Sequence, residues 1–351
     1  MTRILRAAAA LVAAVLLLGG CTSLGAPDDS IKIALLLPES KTARYESFDR
    51  PYFEQRIAEL GDYEVLYSNA DQDAAKQQSQ AEAALASGVS VLVLDPVDSA
   101  AAVSIVTAAN AQGVPVVSYD RLVGGGRLDF YVSFDNKRVG ELQGAALVEK
   151  LDADGAGGGI LVLNGSPTDG NAIQFKEGAH SVIDPSGYEI LAEFDTPDWS
   201  PDKAQEWVAG QITQFAGRSG GISGVYAAND GTAGGAIAAL KAANVSPLPV
   251  VIGQDAELAA IQRIVAGDQY MTIYKAMRAQ AELAAEVAVA LATGQPVSGK
   301  TETNGTPTTL LPIVVVTVEN IMDTVVADGL YTVAEICTPE YAAACISAGI
   351  E

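Results

Sequence analysis

Histidine is almost absent from this chain: His180 is the only one in 351 residues. That leaves no His-rich metal site and argues against the usual nucleophile–histidine pairs. Basic residues are scarce too, 21 Lys+Arg against 43 Asp+Glu, for a formal net charge of -22. Nucleic-acid recognition needs basic patches, so that class is excluded. Disorder is excluded as well, because 49% of the residues are apolar. No repeat of 20 to 50 residues is evident. The glycine fingerprint of dinucleotide sites is missing after the first apolar run, where "LLLPESKTAR" stands instead.

Cysteine is rare, three in all. The first closes "MTRILRAAAALVAAVLLLGGC", which has Arg3 and Arg6, an apolar run through Leu18 and small residues before Cys21. This is the pattern of an export signal, too short and wrongly flanked for a membrane span. Its "LGGC" ending resembles the lipobox of bacterial lipoproteins, which implies a signal over 1–20, lipidation at Cys21 and a polar tether over 21–30. The chain from 21 onward carries 19 Lys+Arg against 43 Asp+Glu, a formal charge of -24. Cys337 and Cys345 are the remaining pair. A straight helix over "TPEYAAAC" would hold them about 12 Å apart, so a disulfide requires the chain to bend there. The sequence leaves both states open.

From Ile31 onward short β-rich runs alternate with Ala-rich segments of helical length. Examples are "IKIALLLP", "VSVLVLDP", "VPVVSYDR", "DFYVSFDN", "GGILVLNGSP", "LPVVIGQD" and "LLPIVVVT". Near-continuous apolar strands between helices predict parallel sheets covered on both faces, an α/β fold. The length predicts two such units.

Many of these runs end in polar groups: Asp95; Asp120 and Arg121; Asp135 and Asn136; Asp169 and Asn171; Asn229 and Asp230; Gln254 and Asp255; Lys275. Ligands of open parallel sheets bind beyond the carboxyl ends of the strands. Asp95 and Asp230 read as turn formers or helix caps. The rest form a set of donors and acceptors suited to a small polyhydroxyl compound. Asp120 and Arg121 can pair with each other and keep spare hydrogen-bonding capacity for a ligand.

Two enzyme signals fail. "GQPVSGKT" at 294–301 fits the phosphate-loop spacing, but a helical segment precedes it and the non-helical "TETNGTPTTL" follows. Asp120, Asp169 and Asp255 could converge as paired carboxylates, yet Arg121 and Asn171 beside them favour ligand orientation over a raised-pKa acid.

The motifs "SKTARY", "VSYDRL", "FDNKRVGELQ", "NGSPTDGNA", "ANDGTAGGAI", "VIGQDAELAAI" and "AGDQYMTIYK" resemble the exported sugar-binding proteins of ABC importers, in the branch that takes xylose and related aldoses. The resemblance runs from about Ile31 to Leu330. It implies a type I periplasmic binding protein fold, two similar doubly wound lobes joined by a three-stranded hinge. The amino-terminal lobe is expected over 31–137 plus 256–295, the carboxyl-terminal lobe over 138–255 plus 296–330, and a tail of unassigned role over 331–351. The resemblance assigns ligand binding to Arg44, Tyr45, Asp120, Arg121, Asp169, Asn171, Trp199, Asn229, Asp255 and Lys275, with Tyr45 and Trp199 stacking on the two sugar faces. Two positions depart from the branch: Tyr45, where Trp is common, and Gly170, where Asn is common.

The function expected is that of a monomeric, non-enzymatic receptor without cofactor or metal. It is exported, held at the outer face of the cell membrane by its lipid alone, and delivers a monosaccharide to the importer's transmembrane subunits. A non-sugar polyhydroxyl ligand, such as a nucleoside or signalling furanone, is the alternative, as is a sugar sensor feeding a signalling receptor.

Overall fold

A computed structural model describes residues 30–350. The expected signal, Cys21 and the tether up to residue 29 lie outside the described residues. From Ile31 the chain forms one compact unit.

The first half alternates strand and helix: β1 Ile31–Leu37, a π-helical turn Tyr45–Asp49, α1 Arg50–Leu60, β2 Tyr63–Asn69, α2 Ala74–Ala86, β3 Val91–Leu94, α3 Val103–Ala111, β4 Val116–Tyr119 and β5 Phe130–Phe134. A second series follows: α4 Asn136–Ala153, β6 Gly159–Asn164, α5 Gly170–Ile183, β7 Ile190–Asp195, α6 Pro201–Phe215, β8 Ile222–Ala227, α7 Asp230–Ala242 and β9 Val250–Val251. The remainder is α8 Leu258–Ala266, β10 Thr272–Lys275, α9 Met277–Ala292, β11 Thr301–Thr303, β12 Thr306–Leu311, β13 Ile313–Val316, α10 Val333–Ile336 and α11 Ala342–Ala348.

Two parallel-type sheets result. One has seven strands in the order β11-β12-β5-β4-β3-β1-β2, the other four in the order β7-β6-β8-β9. Every residue of β3, β4, β5 and β6 is buried, as expected of strands covered on both faces. Alternate side chains of the first sheet enter opposite cores: Ile33, Leu35 and Val93 pack with Phe53 and Ala284, while Leu36, Leu92 and Leu94 pack with Ile105 and Val106. The second sheet is covered likewise, by Phe175 and Ala179 on one face and Val208 and Ile237 on the other. Helices α4 and α5 cross almost in contact. A Cβ on Gly140 would lie 2.0 Å from the Phe175 carbonyl oxygen.

The chain crosses between the sheets three times: after β5, between β10 and α9, and at Pro312 between β12 and β13. β10 pairs antiparallel with β13, and Met271 bridges to Ile252 beside the second sheet. These pairings differ from the expected lobe limits. β12, expected in the carboxyl-terminal lobe, lies parallel to β5 in the first sheet. α8, expected in the amino-terminal lobe, is tied to the second unit through Arg263, whose guanidinium donates to the Asp230 carbonyl. Strand–helix alternation fixes the order of elements but not the sheet each strand joins.

"TETNGTPTTL" is non-helical as expected and holds a hairpin: β11 and β12 pair antiparallel around Asn304 and Gly305, both at positive φ. No helix follows the 294–301 segment, so it has no phosphate-loop geometry. Cys337 and Cys345 are bonded, with Cα atoms 5.9 Å apart. The bend that this requires falls between α10 and α11. No helix among the described residues is long and apolar enough to cross a membrane.

Candidate functional site

The carboxyl ends of β1, β4, β6 and β8, together with the segments around 199, 255 and 275, meet at one small cavity. All ten residues expected to bind ligand line it, joined by Thr42, Phe175 and Gln254. Every one of the ten is at least 95% buried.

Asp120 follows β4 at φ 56, in left-handed backbone that non-glycine residues rarely adopt. Its carboxylate accepts from Arg44 Nη1 at 3.2 Å, Gln280 Nε2 at 3.2 Å and the Tyr45 hydroxyl at 3.4 Å. Burial disfavours its charge, but Arg44, then Lys275 and Arg121, outweigh burial and lower the carboxyl to about 2. Arg44 is in turn fixed by a two-pronged pair with Asp49, at 2.8 and 2.6 Å, and the Tyr119 hydroxyl also donates to Asp49.

Arg121 does not pair with Asp120, contrary to the sequence expectation. It turns instead to Asp169 at 2.9 Å, with Asp95 at 3.6 Å and Glu39 at 3.8 Å. Burial, partly offset by Arg121, raises the carboxyl pKa values of Asp95, Glu39 and Asp169 above the ordinary range. Asp95 is thus no turn former. It is fully buried beneath the site. Asp230 is not the cap expected either: Asn229 caps α7, while the Asp230 carboxylate accepts from Gln269, Thr272 and the Glu257 amide.

The opposite wall is built from helix starts. Asp169 caps α5 through the Asn171 amide and accepts from Trp199 Nε1 at 3.1 Å. Asn171 Nδ2 reaches across to the Asp120 carbonyl at 3.2 Å. Lys275 Nζ lies 2.9 Å from Asp255 Oδ1 and 5.5 Å from the Phe175 ring centroid. Asp255 and Ala256 both have positive φ, 94 and 51. Gln254, buried and lining the cavity, has no donor for its Oε1. Buried acceptors demand donors.

The aromatic walls are Tyr45, Phe175 and Trp199. Trp199 is both core and lining, edge-on to Phe175 at 6.4 Å and flush against the backbone just after β6, where a Cβ on Gly165 would lie 2.0 Å from its Cη2. The Arg44 and Arg121 guanidinium groups lie over the Tyr45 ring, 5.3 and 5.7 Å from its centroid.

Carboxylates, amides, cations and aromatic faces around so small a space can fix a polar ring from all sides without bond chemistry. Among the described residues no cluster of three or more His, Cys, Asp or Glu is arranged to hold a metal. Sequence reasoning missed Phe175, which sits one helical turn after Asn171 in the polar stretch "NAIQFKEG". It also missed Gln280, whose contact with Arg44 is 236 positions away in sequence.

Comparison with known proteins agrees with this architecture. The chain is 36% identical over 334 residues to the D-xylose-binding periplasmic protein of Escherichia coli, covering 92% of this chain and 98% of that one. It is 32% identical to a multiple sugar-binding periplasmic protein of Azospirillum brasilense, covering 88% and 91%. A carbohydrate transporter solute-binding protein from Chloroflexus aurantiacus, solved with D-glucose, superposes with a TM-score of 0.78 at 30% identity, over 87% of this chain and 98% of that one. The periplasmic binding protein domain matches residues 33–296, and the chain belongs to that family.

Proposed function

We propose that this protein captures a monosaccharide, xylose or a related aldose, in the cavity between its two sheets and hands it to an ABC importer. The observation that carries the reading is the cavity wall itself. Ionised Asp120, the unsatisfied Gln254 Oε1, the cations of Arg44, Arg121 and Lys275, and the rings of Tyr45, Phe175 and Trp199 all face one small space. Vicinal hydroxyls both donate and accept, and a pyranose presents C–H faces to aromatic rings. Relatives named for D-xylose and for several sugars support the ligand class.

No role as an enzyme is needed. Asp120 is held ionised by its cations, which suits a fixed acceptor and not a proton donor. Extracytoplasmic placement follows the family. Lipid anchoring at Cys21, a monomeric state and delivery to importer subunits complete the proposal, supported by the "LGGC" segment and by the family.

The test is thermal unfolding against pentoses, hexoses, a nucleoside and myo-inositol, each at about 1 mM. A micromolar ligand stabilises by roughly 4 kcal/mol under those conditions, a shift of several degrees. A shift with one or two aldoses, lost in Asp120→Ala, supports the reading. A response to the nucleoside alone, or no response from folded protein, overturns it.

A further inference from the structure

The carboxyl-terminal segment 331–350 is more than a tail. It folds as two short helices closed by the Cys337–Cys345 disulfide, and it buries Tyr331, Ile336, Cys345 and Ile350 in one apolar cluster. The same cluster contains Ala256 and Tyr274. Those two are the chain neighbours of Asp255 and Lys275, the ion pair on the cavity wall. Asp255 and Ala256 both hold left-handed backbone, which persists only where surrounding packing imposes it. Ala256 is fully buried, in the same cluster to which the segment contributes.

The segment also reaches the other wall. Tyr331 meets Phe48 edge-on at 5.7 Å, and Phe48 lies on the π-helical turn that carries Tyr45 and Asp49. Gln262 of α8 donates to the Glu335 carbonyl at 3.0 Å. One clipped segment therefore touches the supports of both halves of the cavity.

We propose that segment 331–350 is a positioning element of the ligand site, holding Asp255 and Lys275 on one side and the Tyr45 turn on the other, with its disulfide keeping it in place. This rests on reading the cavity as the sugar site. Its residues touch no ligand; they act through Ala256, Tyr274 and Phe48.

The experiment compares the full chain with Cys337→Ser/Cys345→Ser and, separately, Tyr331→Leu. A control, Val106→Ala, removes apolar volume from the far core of the first sheet. Two readouts are taken where all variants are folded: amide hydrogen exchange over 44–49 and 253–257, and D-xylose and D-glucose titration. The proposal expects faster exchange at both stretches in the segment variants and affinity weakened at least about fivefold, with neither change in the control despite its lower Tm. Faster exchange confined to 331–350, with site amides and affinity unchanged, overturns it. Should the double variant fail to fold, Tyr331→Leu decides. If the unaltered protein takes neither sugar, the sugar reading fails, while the exchange data still decide the positioning role.

Discussion

Arg121 Nε lies 2.9 Å from Asp169 Oδ2, and this buried pair joins the segment after β4 to the start of α5, one sheet to the other. Asp95 and Glu39, both fully buried, stand at 3.6 and 3.8 Å on the same guanidinium. One cation thus offsets three buried acids. Removing one partner of such a set is costly because the other charges stay behind.

Arg121→Met is therefore expected to destabilise by about 3–5 kcal/mol and to abolish sugar binding. Arg121→Lys should rescue little, since a single ammonium cannot meet Asp169 and the Tyr45 hydroxyl in the same planar geometry. Urea unfolding and titration calorimetry on both variants check this. A Lys variant with unaltered affinity would refute the geometric part.

The pH dependence of stability has a definite sign. Burial, opposed by Arg263, pushes the Asp230 carboxyl up to about 7, and burial with the neighbouring Asp230 and Asp255 charges pushes Glu257 up to about 8. Both folded values exceed the unfolded ones near 4, so between about pH 4 and 8 the native state holds protons that the unfolded chain has released. Stability must fall as pH rises through that window. Asp120, lowered to about 2, acts in the opposite sense but only below about pH 4. The urea midpoint is expected to be higher at pH 5.5 than at pH 8.5, and Glu257→Gln should flatten the slope. A midpoint that rises across this range would contradict both assignments.

The strand ends made much of this site legible. Asp120, Asp169, Asn229, Asp255 and Lys275 each follow an apolar run, and parallel-sheet geometry brings such ends together whatever the loop details. What stayed illegible was pairing. Adjacent Asp120 and Arg121 invite a mutual ion pair, yet the φ of 56 at Asp120 and the distant acids Asp169 and Asp95 send them to different partners. β12 joined the first sheet for a similar reason, since nothing in "TPTTLL" states its neighbour. The hairpin over 301–311 carried a readable signal, Asn304-Gly305 between β-favouring threonines, that went unused in the reading of the sequence.

Gly165 sets the position of Trp199. A Cβ there would lie 2.0 Å from Trp199 Cη2 and 2.2 Å from Cζ2, so Gly165→Ala must push the indole off the backbone just after β6. Because Trp199 also lines the cavity, the expected result is a stability loss of about 1–3 kcal/mol together with weakened sugar binding. Tryptophan fluorescence, with Trp207→Phe to isolate the Trp199 signal, should show a shifted emission in the alanine variant. Unchanged emission and affinity would mean the backbone, not the ring, gives way.

The two sheets also meet outside the cavity. Ser99 donates its amide to the Thr168 carbonyl at 3.1 Å, the Gly170 amide donates to Ser99 Oγ at 3.2 Å, and the Thr168 hydroxyl donates to the Val97 carbonyl at 3.3 Å. The Gly124 amide, donating to the Ser99 carbonyl at 2.8 Å, holds this loop to the first unit. The hinge motion that the family resemblance implies would break these bonds on opening, so they are expected to stabilise a closed form without touching ligand. Ser99→Ala deletes one of them, worth about 0.5–1.5 kcal/mol net. Sugar dissociation is then expected to quicken by about 2- to 12-fold at a nearly unchanged association rate. The order of preference among sugars should stay the same, because no ligand-facing group has changed. Stopped-flow measurement with two sugars separates the outcomes: equal acceleration for both supports a closure contact, whereas an altered ratio would place Ser99 in ligand recognition instead.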